Sequence, residues 1–315
     1  MDLVFLGTGS GVPAKHRNVS SIALKLLDEL NSIWLFDCGE ATQHQILKTS
    51  VKPRKIDKIF ITHMHGDHIF GLPGLLSSRA FQGGDTPLTI YGPPGIRQYV
   101  SMSMKLSQSH VKYPIDYVEF TEEGKLFENS QFIVTVKRLR HGIPSYGFRI
   151  QEKDREGELM AEELKELGVP FGPLFGQLKQ GKTVTLDDGR VLDGKAFIGP
   201  SQKGRVVTIL GDTLKTQNSV ELARGADVLV HESTFKGDDQ GLARSYNHST
   251  NIDAARTALE AGAEKLLLTH ISARYLYADS KEMEKEARRY FPESYVMNDL
   301  AEVTIPIKRE VEING

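Results

Sequence analysis

Four side chains able to hold a metal ion fall within six residues of the stretch "THMHGDH": His63, His65, Asp67 and His68. His63 and His65 stand two apart where the apolar run "KIFIT" gives out. On an extended chain, that spacing turns their side chains the same way, so they could share one ion. Asp67 and His68 follow the turn at Gly66 and could address a second ion. Crowding argues against one ion taking all four. Other apolar runs end in the same kind of residue: "FIVTVKRLR" leads to His141, "VVTIL" to Gly211 and Asp212, "KLLLT" to His270, and "ADVLV" to His231 and Glu232. In open α/β sheets, ligands bind outside the carboxyl ends of strands.

A lone histidine at a strand end is usually structural. Three histidines in six residues, matched by other strand ends, ask for coordination instead. A catalytic zinc takes about three protein ligands and a water. Two ions at three ligands each, with one carboxylate shared, would use His63, His65, Asp67, His68, His141, Asp212 and His270. Imidazole and carboxylate without thiolate suit zinc first, with manganese or another divalent ion as alternatives.

The elements that must position these residues are short and alternating. Strands are predicted over "DLVFLG", "SSIALKLL", "SIWLFD", "KIDKIFITH", "PLTIYG", "YPIDYVEF", "QFIVTVKRLR", "RVVTIL", "ADVLV" and "EKLLLT". Helical spacing appears in "ATQHQILKTS", "GLPGLLSSRAF", "IRQYVSMSMKLSQ", "NSVELARGA" and "NIDAARTALEAGA". Alternation of this kind makes an α/β protein. Residues 151–196 break the pattern with a charged helical stretch, "EGELMAEELKELG", then "VPFGPLFGQLKQGK", crowded with Gly and Pro. Such composition marks an excursion from the core.

Bulk properties exclude some classes. The chain has 315 residues, 25% charged and 39% hydrophobic, typical of a globular protein. A formal charge of -2 provides no global basic field, so any nucleic-acid binding must be local. One cysteine, Cys38, rules out an internal disulfide and suits a reducing compartment. The first residues lack a basic start and a long apolar run, and no stretch is long enough to span a membrane. The expectation is a cytoplasmic protein without a membrane partner.

"THMHGDH", with "FDCGE", "GDT" and "LLLTH" in order along the chain, resembles the metallo-β-lactamase superfamily. Finer features resemble ribonuclease Z in its short form, the tRNA 3′-processing endonucleases. "PAKHRN" is similar to that family's P-x-K-x-R-N loop, "HEST" to its HEAT loop and "HST" at 248–250 to its HST loop. "DCGEATQ" resembles D-C-G-E-G-T-Q, with Ala41 in place of a glycine. The resemblance implies a four-layer αββα sandwich over 1–315, with 151–196 as an inserted flexible arm that binds tRNA. It implies His63, His65 and His141 on one zinc, Asp67, His68 and His270 on the other, and Asp212 bridging. It implies Asp67 as proton acceptor and His248, oriented by Glu232, as proton donor. The implied reaction removes the 3′ trailer from tRNA precursors by a two-metal-activated hydroxide, leaving a 3′-hydroxyl on the tRNA and a 5′-phosphate on the trailer. A homodimer is implied, the arm of one subunit reaching RNA on the other.

Candidate RNA contacts are Lys15, Arg17 and Asn18 in the "PAKHRN" loop, Lys179 and Lys182 in the arm, and the basic runs "KPRK" and "KRLR". Phe171 and Phe175 could face RNA or close the arm's own core. "GTGSG" reads as a tight turn, since it lacks a full phosphate-binding pattern.

Overall fold

The computed structural model describes residues 1–155, 157, 159–199 and 201–308. The chain divides into two units, one built from 1–151 and 206–305, the other containing 152–205.

Period-two alternation builds the first unit. Along Asp2–Gly7, Leu3 and Phe5 enter one core while Val4 and Leu6 enter another. Trp34 and Phe36 likewise part from Ile33 and Leu35, and Val228 and Val230 from Leu229. One seven-stranded sheet runs Glu302–Thr304, Asp2–Gly7, Ser21–Leu26, Ser32–Phe36, Ile56–Phe60, Leu88–Gly92, Ile115–Glu119. A second runs Ser294–Val296, Leu266–Thr269, Val228–Glu232, Val206–Leu210, Ser145–Glu152, Phe132–Leu139, Gly124–Glu128. Each has a parallel portion, Ser32–Phe36 through Ile115–Glu119 in the first and Val206–Leu210 through Ser294–Val296 in the second.

Three apolar clusters define four layers. Inner faces of both sheets meet around Trp34, Phe60 and Phe148, with Phe36 and Tyr91 stacked on Phe60 at 4.8 and 4.9 Å between centroids. Outside the first sheet, Leu72, Leu75 and Leu76 of helix Leu72–Phe81 and Ile96 and Val100 of helix Ile96–Leu106 cover Leu35 and Ile59. Outside the second, helices Gln217–Ala223, Asn251–Ala261 and Tyr277–Arg288 cover Leu229, Leu266 and Leu268. The order is helix, sheet, sheet, helix. No helix among the described residues is long and apolar enough to cross a membrane.

Some elements depart from the sequence expectation. The strand expected to end at His63 stops at Phe60, and 61–65 continue as irregular chain. Helix Tyr277–Arg288 has a faint pattern, because only Ser280, Met283 and Ala287 are buried. Strand Gly124–Glu128 is an edge strand with no fully buried residue, so its sequence carries little alternation.

The second unit has its own apolar core of Leu164, Val169, Phe175, Leu178, Val184 and Leu186. It contains helices Ala161–Glu166 and Pro173–Lys179 and an antiparallel pair, Thr183–Thr185 with Val191–Asp193. The charged helical pattern of 156–168 thus yields one short helix, while 156 and 158 lie outside the described residues. Arg205 Nε donates to Glu152 Oε2 at 2.7 Å, an ion pair with both side chains 3% exposed. Phe175 closes this core, whereas neighbouring Phe171 is 83% exposed.

Candidate metal centre

The carboxyl-terminal edges of the two parallel portions carry the chemistry. Asp37 and His270 each follow directly on a strand and adopt φ of 56° and 58°. Left-handed backbone at a non-glycine residue costs about 1–3 kcal/mol and persists only where surrounding contacts enforce it. At Asp37 the contacts are visible. Its Oδ1 accepts from Thr62 N at 2.8 Å, and its Oδ2 from Thr62 Oγ1 at 2.8 Å and His68 Nδ1 at 2.7 Å. Hydrogen bonds to a charged group contribute about 1.5–3 kcal/mol each, enough to outweigh the strain. Close approach explains two glycines: a Cβ on Gly211 would lie 2.6 Å from Thr62 Cβ, and one on Gly39 2.3 Å from the Asp67 carbonyl.

Seven ligand atoms converge. His63 Nε2 and His141 Nε2 lie 3.1 and 3.2 Å from His65 Nδ1. His270 Nε2 lies 3.3 Å from both His68 Nε2 and Asp67 Oδ2. Asp212 Oδ2 reaches both groups, at 3.6 and 3.9 Å from His63 and His141 and 3.5 and 3.3 Å from His68 and His270.

The outer hydrogen bonds settle which nitrogens face inward. Thr62 Oγ1 gives its proton to Asp37, so at 2.9 Å it accepts from His63 Nδ1. Thr234 Oγ1 gives its proton to Glu232 Oε2 and accepts from His270 Nδ1 at 2.9 Å. His141 Nδ1 donates to Asn247 O at 2.9 Å. With His68 held by Asp37, four imidazoles present Nε2 to the centre, each oriented by a partner behind it. That is how metal-bound histidines are held. Bare imidazole nitrogens 3.1–3.3 Å apart, ringed by carboxylates, are a donor set suited to divalent cations.

Electrostatics agree. Burial opposes charge on Asp212, but His270, His68 and His63 hold its carboxyl well below the usual range. Asp67 is held low against burial by the neighbouring His270 and His68. Burial, then His68, pushes His63 well below the ordinary histidine value, leaving it neutral. Burial also works against charge on His68, yet Asp212 and Asp37 raise it well above that value. A proton and a cation compete for its lone pair.

His248 stands beside the centre, 3.9 Å from Asp212 Oδ2. Its Nδ1 lies 2.9 Å from Glu232 Oε1. Burial opposes its charge, but Glu232 pushes it up to about 9. Glu232 also accepts from the backbone N–H of Thr213, Thr234 and Ser249, so it is rigidly placed. No described residue bonds His248 Nε2. His231, one residue before Glu232, faces the opposite side of strand Val228–Glu232, as alternation requires. It is fully buried, and burial lowers its pKa.

The candidate RNA contacts separate. Lys15 is exposed, as are Lys179 and Lys182 in the second unit. Arg17 is turned inward, which corrects the expectation of a surface contact. Its guanidinium donates to Thr8 Oγ1 and Met297 O, both at 2.6 Å, and to Asn298 Oδ1 and Ser280 Oγ. It therefore anchors the "PAKHRN" loop. Asn18 Nδ2 donates to Glu40 O at 2.7 Å. Lys137 of "KRLR" is paired with Glu221. Spacing did not reveal Thr234, Asn247 or Gly11, whose N–H donates to Asp67 Oδ2 at 2.7 Å. Asn247 left a faint signal: an asparagine before "HST" suits its φ of 57°.

Layering and ligand set together are those of a metal-dependent hydrolase of the metallo-β-lactamase fold. A metallo-β-lactamase fold protein from Bacillus subtilis, YhfI, superposes with TM-score 0.65 over 96% of this chain and 98% of its own at 20% identity, which speaks for the fold alone. A family profile described as Anti-Pycsar protein Apyc1 matches residues 1–156. The more specific likeness is to a Pediococcus pentosaceus ribonuclease Z, 61% identical over 98% of this chain and 100% of the relative. A Bacillus cereus ribonuclease Z is 59% identical over 95% and 98%. The human short-form tRNase Z superposes with TM-score 0.70 at 31% identity, covering 98% and 100%. The chain belongs to the ribonuclease Z family.

Proposed function

We propose that His63, His65 and His141 hold one divalent ion, that Asp67, His68 and His270 hold a second, and that Asp212 is shared, with zinc as the metal. The reading rests above all on Asp212 Oδ2, which stands within 3.3–3.9 Å of ligand nitrogens from both groups. The reaction is endonucleolytic removal of the 3′ trailer from tRNA precursors, leaving a 3′-hydroxyl on the tRNA and a 5′-phosphate on the trailer. When bound, the two ions supply an acidified water and a clamp for the attacking and leaving oxygens.

The chain's own residues do the rest. Asp67, ionised and fixed by the Gly11 N–H, accepts the proton of the attacking water. Glu232 keeps a proton on His248 and aims its free Nε2 at the leaving 3′-oxygen. Raised to about 9, the imidazolium carries its proton at neutral pH and gives it up to the far more basic leaving 3′-oxygen. Lys15 and Asn18 meet the RNA end near the centre, and Arg17 positions their loop. Residues 151–196, all but the first of which fall in the unit 152–205, act as the tRNA-gripping arm through Lys179 and Lys182. The chain works in the cytoplasm as a homodimer, one subunit's arm gripping RNA held by the other. A monomer on sedimentation at micromolar concentration would contradict that. Metal analysis of Asp212→Ala tests the shared ligand: the variant should lose or disorder both ions, and two full zinc equivalents would contradict it.

A further inference from the structure

Beside the metal centre, the backbone that carries His141 and His248 builds a second polar site. A depression of about 380 Å³ is lined by Arg140, Lys215, Gln240, Arg244, Asn247 and Asp253. Arg140 immediately precedes His141 and Asn247 immediately precedes His248, and the two segments are tied by His141 Nδ1 donating to Asn247 O. The depression and the centre therefore share a rigid frame.

Its charges are unbalanced. Asp253 Oδ2 accepts from Thr250 Oγ1 and Gln240 Nε2, each at 2.9 Å, and these neutral donors fix the carboxylate while leaving its single negative charge facing two arginines. Lys215 Nζ is held by both oxygens of Glu260 at 2.6 and 2.7 Å. Arg140 and Arg244 are exposed, and their guanidinium groups have no hydrogen-bond or ion-pair partner among the described residues. Their backbones are nevertheless fixed. Arg140 O accepts from Leu214 N at 2.8 Å, and Arg244 lies in the last turn of helix Gln240–Tyr246, closed by Asn247. Two unneutralised guanidinium groups on a fixed rim suit a phosphate, which arginine meets with a planar fork of donors. No aromatic ring lines the depression, so nothing there would stack on a base. With a net charge of -2, the chain needs such local sites to hold a polyanion.

We infer that this depression is a phosphodiester subsite, binding a backbone phosphate of the RNA strand next to the bond that is cut. The inference rests on the RNA-cleaving function proposed above. The phosphate belongs either to the trailer or to the tRNA end, and both have the same chemistry.

The test is the salt dependence of binding and cleavage for wild type, Arg140→Gln, Arg244→Gln and the double variant. The probes are a labelled 12-nucleotide single-stranded RNA, for anisotropy, and a tRNA precursor, for kcat and KM. Each lost charge should lower the slope of log affinity against log salt by about 0.7, and the pair by about 1.4. KM for precursor should rise severalfold while kcat stays within about twofold, since a phosphate contact binds ground and transition states alike. Arg140→Lys and Arg244→Lys should keep the slope, separating charge from loss of fold. An unchanged slope and KM in the double variant would overturn the subsite. A wild-type chain that bound RNA with the expected slopes but left precursor uncut would sink the functional reading and not the subsite. Precursors with trailers of one and twelve nucleotides locate the phosphate: a penalty that grows with trailer length places it on the trailer, an equal penalty on the tRNA end.

Discussion

His248 is the side chain whose role can be separated most cleanly from binding. It is held by Glu232 and belongs to neither ligand group in the proposed scheme. His248→Ala should slow single-turnover cleavage of saturating precursor by about 10²–10⁴, the usual worth of a positioned acid. Precursor affinity should change little, and an unchanged rate would remove His248 from the mechanism. At this scale much was legible. The seven candidate ligands stand together, because strand ends and a two-residue spacing dictate where those side chains go. Arg17 was misread because a sequence displays a cation without showing where its five donors point. Those donors go to Thr8, Ser280, Met297 and Asn298, and the last three are far away in the chain.

The elements divide into those with a strong apolar period and those without. Strands such as Val228–Glu232, buried on both faces, read plainly as apolar runs. The excursion was visible by composition, but its interior was not. Its six-residue core mixes short helices with a small hairpin, and no periodicity spans such short pieces. The same core means that the unit carries its own stabilising contacts. Deleting about 155–190 should therefore spare hydrolysis of a small phosphodiester and abolish cleavage of tRNA precursor. Loss of both activities would assign the segment a structural role instead. Gly11 and Arg17 hold their loop in different ways, one through its backbone N–H and the other through its guanidinium. The Gly11 N–H bonds Asp67, a proposed metal ligand, and Arg17 ties the loop to residues 297–298.

For the whole molecule, two sheets with buried inner faces bring the carboxyl ends of separate parallel strands to one edge. His63, Asp212 and His270 follow the ends of strands far apart in the chain, so the site exists only when the sandwich is closed. Metal binding and folding are accordingly linked, and the ions should stabilise the folded chain. The central claim is that this edge is a metal-dependent centre that cuts tRNA precursors at the 3′ end of the mature sequence. Incubating purified protein with an unprocessed precursor, with and without a chelator, and mapping the cut ends tests it most directly. The account predicts one cut yielding a tRNA with a 3′-hydroxyl and a trailer with a 5′-phosphate, abolished by the chelator and restored by zinc or manganese. Undiminished cleavage in the chelator, or a trailer bearing a 5′-hydroxyl, would contradict it.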